Sequence, residues 1–273
     1  MRRRVEAVPG RPLPYGILGG CTEVIDVTDE HELLGVEWLA LGCSPVNVWN
    51  DPCVGADESP GASTTKEFAR PITEHADPIT VYAGAECSTI GWSYAEARAQ
   101  AEAALELGQQ EAVELGFWTN TLARTAEDLT PAAGPVNIAQ GVAALEGCLA
   151  EQYGGVGVLH VPAGAAALLG CCAVVQRDLA GGSPTTLAGN CAVIGAGYST
   201  ANTGPGNIPA APGTAWLYIT GPVVVRRGPA MTIPDQPGPS IAYRTNTQRV
   251  LVERTYVVAT TCTVCAINVS TCP

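Results

Sequence analysis

Few side chains in this chain combine the type and spacing that chemistry requires. The segment Asn190-Cys-Ala-Val-Ile-Gly-Ala-Gly-Tyr198 runs a strand-like stretch into Gly195-x-Gly197. That is the opening of a dinucleotide fingerprint, in which backbone N–H groups at a helix N-terminus receive a pyrophosphate. The fingerprint then needs a third glycine and a helix. Thr200 stands in the third place, and Pro205 and Pro209 follow before a helix could grow. No acidic residue stands at the expected distance on a following strand. The glycines read as a tight turn closing a buried strand, and a nucleotide-binding oxidoreductase is the alternative they leave open.

Other catalytic constellations are missing. His31, His75 and His160 sit in unrelated contexts, and His160 ends an apolar stretch, where a hydrogen-bonded core residue is expected. There is no Gly-x-Ser-x-Gly elbow, phosphate-cradling loop or His-x-x-x-His pair. The pairs Asp29-Glu30 and Glu111/Glu114 read as solvated faces. Cys262-Thr-Val-Cys265 has metal-knuckle spacing without a second Cys/His pair, and on a strand residues three apart point to opposite faces. The sequence therefore predicts no enzyme, no cofactor and no metal.

Eleven cysteines in 273 residues are an odd count in a chain large for a disulfide framework. No apolar leader follows Arg2-Arg3-Arg4, so the expectation is a soluble chain, cytoplasmic at synthesis, with reduced thiols. Cys148, Cys171, Cys172 and Cys191 lie in apolar runs and are expected as small buried hydrophobes. The apolar run Val161 to Val175 is too short for a bilayer and is broken by Pro162, Gly164 and Gly170.

Composition points to a packed subunit. Hydrophobic residues make up 47%, ample for a core, yet only 15% are charged, fewer than a free surface usually carries. We read the shortfall as surface that neighbouring subunits cover. A net charge of −12 argues against a dedicated nucleic-acid grip, which needs clustered Lys and Arg.

The elements that would position these residues start with one long helix. Ser93 stands as N-cap with Glu96 three residues on, and Ala, Glu, Gln, Leu and Arg dominate from Tyr94 to Trp118. Before it, residues 1–30 are rich in Pro and Gly and read as an arm. Val36 to Leu41 and Ile79 to Ala83 are strand-like, and the turn-rich stretch Asn50 to Thr65 reads as the loop tip of a two-stranded excursion. After it, Asn137 with Gln140 opens a second helix to about Tyr153, and Val156 to Val161 is a buried strand. Pro162 is expected at N1 of a helix ending near Gly181-Gly182. Thr186 to Ile194 and Ala215 to Arg226 read as strands separated by a polar loop, and Ile241 to Val269 is almost entirely strand-like.

This order resembles the tailed-bacteriophage major capsid proteins of Hong Kong 97-type fold, an α+β architecture. Asp77-Pro-Ile-Thr-Val-Tyr-Ala-Gly84, Leu107-Gly108 through Phe117-Trp118, Thr220-Gly-Pro-Val-Val-Val225 and Thr245-Asn-Thr247 through Glu253-Arg-Thr-Tyr256 are similar to actinobacterial-phage capsid strings. The resemblance implies an N-terminal arm (1–30) and an extended E-loop hairpin (31–77). It also implies a peripheral domain (78–136 and 236–258, spine helix about 94–118) and an axial α/β domain (137–235 and 259–273). It implies self-assembly into hexamers and pentamers of an icosahedral virion head, built in the host cytoplasm and enclosing double-stranded DNA without sequence-specific contacts. Separate scaffolding, portal and decoration proteins are the implied partners, with no membrane. An encapsulin-like compartment shell is the alternative with the same fold. Trp38, Trp49 and Lys66, the only lysine, are the implied inter-subunit contacts of the E-loop. Lys66 with Asn246 is the implied cross-link pair, although the glutamate such chemistry requires cannot be aligned.

Overall fold

The structure, a computed structural model, describes residues 10–43, 46–48, 66, 68–170, 173–176, 182–262 and 264–271. The expected loop tip at 50–65 and Trp49 lie outside the described residues. In chain order the longer elements are β1 (Glu23–Asp26), β2 (Val36–Ala40), β3 (Ile72–Ala76), β4 (Pro78–Ser88) and α1 (Tyr94–Phe117). Next come α2 (Ile138–Gln152), β5 (Val158–Pro162), β6 (Cys191–Gly195), α3 (Ala196–Ala201) and β7 (Thr214–Thr220). The chain finishes with β8 (Val223–Arg227), β9 (Met231–Ile233), β10 (Thr247–Thr260) and β11 (Val264–Ser270).

Helix α1 begins where its cap predicts. Ser93 Oγ accepts from the Glu96 N–H at 3.3 Å, and Glu96 Oε2 accepts from the Ser93 N–H at 2.8 Å, closing the capping box. Ala97, Ala101, Leu105, Gln109, Val113 and Phe117 are all buried, a row spaced by four residues. Each step of four turns the row by about 40° around the axis. The buried stripe therefore winds along the helix, so one rod serves two layers. Most of its length packs on β4 and β10, and its last turns reach α3, with Phe117 5.6 Å from the His160 ring of β5.

The first layer is a six-stranded sheet ordered β1-β8-β10-β9, in which β4 and the short strand Ile241–Ala242 also pair with β10. Strand β10 is its axis, antiparallel to β4 from Thr247 opposite Ser88 to Val257 opposite Pro78. Along β4, Ile79, Val81, Ala83 and Ala85 turn inward while Thr80, Tyr82, Gly84 and Glu86 face out, the period of a half-buried strand. The second layer is a seven-stranded sheet ordered Glu127–Asp128, β11, β7, β5, β6, Thr185–Thr186, Val175–Gln176. All five residues of β5 are buried. Helix α2, capped by Asn137 Oδ1 on the Gln140 N–H at 2.9 Å, covers this sheet with Val142, Leu145 and Leu149. Strands β2 and β3 form a separate antiparallel hairpin, Val36 opposite Ala76.

Three local expectations need correction. Pro162 is the last residue of β5, opposite Gly195, and only a 3₁₀ turn and the four-residue helix Ala166–Leu169 follow. The strand expected from Thr186 to Ile194 is split at Gly189, whose φ of +89° makes a turn. The arm contains regular structure after all, because β1 adds parallel to β8.

Replacing Ser93 with Ala should lower unfolding free energy by about 1 kcal/mol through loss of the cap. Urea titration reads this as a lower midpoint with an unchanged slope.

Candidate assembly surfaces and the buried Glu114 junction

Glu114 is fully buried on the inner side of α1. Its Oε1 accepts the Ile17 N–H of the arm at 3.0 Å, and its Oε2 accepts the Gly197 N–H at the start of α3 at 2.9 Å. One turn earlier Gln110 Nε2 donates to the Leu13 carbonyl at 2.9 Å, and the Ile194 N–H donates to the Tyr15 carbonyl at 2.7 Å. The arm is thus pinned between α1 and β6. Burial pushes the Glu114 carboxyl up to about 7, against the lowering effect of the Gly197, Ile17 and Ala196 N–H groups. The solvated-face reading of Glu111/Glu114 therefore fails for Glu114, while Glu111 is exposed. The clue in the sequence was position, since Gln110 and Glu114 lie one residue beyond the Gln109 and Val113 of the buried row.

The same contact explains Gly195-x-Gly197. A short helix does follow the glycines, where a polar loop was expected, but the N–H group at its start is taken by Glu114. A Cβ at Gly197 would run into the Glu111 carbonyl of the α1 backbone, so the glycine lets two helices touch. A protein carboxylate fills the place a pyrophosphate would need.

His160 is fully buried, and burial lowers it to about 3, so it is neutral. Its Nε2 and Nδ1 lie 3.0 Å from Thr220 Oγ1 and Tyr198 Oη, respectively. The Thr220 hydroxyl donates to the Gly221 carbonyl at 2.8 Å, which leaves it accepting from Nε2–H and assigns Nδ1 as acceptor for Tyr198. Both ring nitrogens are spent on structure. Nearby Trp118 and Tyr218 both donate to the Thr203 carbonyl, at 2.9 and 2.7 Å, and their rings pack at 4.6 Å.

The cysteines overturn the reduced-thiol expectation. Cys21–Cys191, Cys43–Cys262 and Cys148–Cys265 are disulfides across separations of 170, 219 and 117 residues. Cys148 and Cys265 are buried as small apolar groups would be, but bonded. Among the described residues Cys87 is the free cysteine, while Cys171 and Cys172 lie outside them. Cys262, in the turn before β11, and Cys265, on β11, find different partners. Two donor sets, Cys43/Glu74/Cys262 and Glu127/Cys148/Cys265, come together, and in each the sulfurs are bonded to one another.

The hairpin exposes apolar side chains, with Leu39 at 61%, Leu41 at 80% and Phe68 at 93% exposure. Trp38 is half-buried at the hairpin base, facing Thr260 and Thr261 of the body across a cavity. Lys66 is exposed. Asn246 is also exposed, in the turn before β10 with φ +51°, and its Oδ1 accepts the Thr89 hydroxyl at 2.7 Å. No helix among the described residues is long and apolar enough to cross a membrane.

No family model matches the chain, and no curated protein matches it. Solved structures do. A chain of the capsid of the native GTA particle shares 14% identity at TM-score 0.55, covering 99% of this chain and 95% of that one. A chain from Microbacterium phage Oxtober96 shares 10% at TM-score 0.53, covering 96% and 90%. A chain from Mycobacterium phage Cain shares 10% at TM-score 0.50, covering 98% and 94%. At such identities the likeness speaks for the fold: this chain has the Hong Kong 97-type capsid fold over nearly its whole length.

Glu114 makes stability depend on pH. Below about pH 4.5 the carboxyl is protonated whether folded or unfolded; between there and about 7 only the folded chain keeps the proton, so stability falls as pH rises. The wild type should lose about 3 kcal/mol more than Glu114→Gln between pH 4.5 and 8, read from urea titrations at each pH. Gly197→Ala should cost about 3 kcal/mol by forcing α1 and α3 apart, seen as a lower thermal midpoint.

Proposed function

We propose that this chain is the major capsid protein of a tailed bacteriophage, a structural protein rather than an enzyme. Copies assemble into hexamers and pentamers of an icosahedral head that encloses double-stranded DNA. The observation that carries the reading is the capsid fold spanning the chain from arm to last strand, with a hairpin whose Leu39, Leu41 and Phe68 are exposed. Burying a Leu or Phe side chain fully stabilises by about 1.5–3 kcal/mol. Leu39, Leu41 and Phe68 on each of many hairpins therefore offer a repeated driving force for closure onto neighbours.

In this reading residues 1–30 are the arm, 31–77 the E-loop, 78–136 with 236–258 the peripheral domain, and 137–235 with 259–273 the axial domain. Trp38, Trp49 and Lys66 of the E-loop meet the adjacent subunit. The net charge of −12 suits a wall that surrounds DNA without gripping it, since few cations are available to displace counterions from phosphate. Assembly in the host cytoplasm, with separate scaffolding, portal and decoration proteins, completes the proposal, and the protein resides in the virion.

Purified full-length protein, with a scaffold if one is needed, should form closed megadalton particles by light scattering and negative-stain microscopy. A strictly monomeric protein under all such conditions would sink the reading. Changing Leu39 and Leu41 together to Glu should abolish particles while leaving the circular dichroism of the subunit unchanged. Normal particles from that variant would remove the hairpin from the assembly interface.

A further inference from the structure

Among the described residues one disulfide links the hairpin to the body. Cys43, just beyond β2, is bonded to Cys262 in the turn between β10 and β11, with the Cα atoms 5.1 Å apart. Glu74 of β3 reinforces the link, its Oε1 accepting the Cys262 N–H at 3.0 Å. Cys262 has φ +64°, the left-handed region where glycine or asparagine is favoured and a cysteine costs energy. A thiol is therefore held where the backbone argues for a residue without one.

Around this point packing is thin. A cavity of about 420 Å³ separates Trp38 and Leu39 from Val224, Ala259 and Thr260. A second, about 320 Å³, lies between Glu74 and His75 and the body at Thr121, Thr125 and Val258. A third, about 850 Å³, opens beside Cys43 and Cys262 toward Tyr153. The other disulfides differ. Cys148–Cys265 is buried in the core, and Cys21–Cys191 ties an arm that Glu114, Gln110 and Ile194 already hold by hydrogen bonds.

We propose that Cys43–Cys262 is a redox latch that sets the angle of the hairpin on the subunit. Closed, it holds the loop-side end of the β2–β3 pair against the β10–β11 turn. Open, that end swings into the flanking cavities. The partner reagent is a small thiol/disulfide couple of the glutathione class, which reaches the half-buried sulfurs. For closure, one protein thiolate attacks the glutathione disulfide and releases one glutathione thiolate. The second protein thiolate then displaces the other glutathione, and the two protons from the protein thiols end on the two glutathiones. Opening is the reverse. The consequence for shells rests on the capsid reading above, because only there does hairpin angle decide how neighbours engage.

The test uses the full-length subunit before assembly. Hydrogen–deuterium exchange over 36–43 and 68–76 should be at least tenfold faster in Cys43→Ser, and in wild type treated with reduced glutathione, than in the oxidised wild type. Exchange in α1 and β10 should not change. Cys262→Gly keeps the turn, since glycine accepts its backbone conformation, and should match Cys43→Ser. Mass mapping should find the Cys43–Cys262 bond reduced before Cys148–Cys265. Equal exchange in oxidised wild type and Cys262→Gly would overturn the latch. So would a zinc ion retained by the reduced wild type and lost from Cys43→Ser, which would make Cys43, Glu74 and Cys262 a metal clamp. These readouts concern the subunit alone, so they stand or fall separately from particle formation.

Discussion

A carboxylate buried away from water must be met by donors or give up its charge, and Glu114 does some of each. Its donors come from two segments far apart in sequence, the arm at Ile17 and the start of α3 at Gly197. Both must therefore reach the same turn of α1. That requirement brings the arm under the second sheet, sets α3 against α1 at a distance only glycine permits, and places His160, Tyr198 and Trp118 in one aromatic cluster. One hydrophobic core joins α1, the first sheet and one face of the second sheet, and another packs α2 on the second sheet's opposite face.

The body buries a large apolar core, and the excursion exposes several apolar side chains. Strands β5 and β7 are almost wholly buried, whereas the hairpin exposes Leu39, Leu41 and Phe68. Three disulfides add covalent ties across the chain. Closing loops of more than a hundred residues restricts the unfolded chain, worth several kcal/mol each in the chain-entropy account.

What the sequence determined by itself was local: where α1 and α2 start, the strand at Ile79 to Ala83, the buried run of β5, and the order of elements that resembles a capsid subunit. These follow from caps, helix propensity and side-chain period, which act over a few residues. Tertiary structure decided whatever needed a distant partner. Glu114 looked solvated because its place beside the buried row does not reveal that Ile17 and Gly197 will supply its donors. The cysteines looked reduced because pairing of Cys43 with Cys262 depends on Cα atoms being brought to 5.1 Å across 219 residues. Pro162 looked like a helix start because its use as a strand end depends on β6 lying beside it. Short-range propensity is written in neighbouring residues; burial and pairing exist only once the chain has closed on itself.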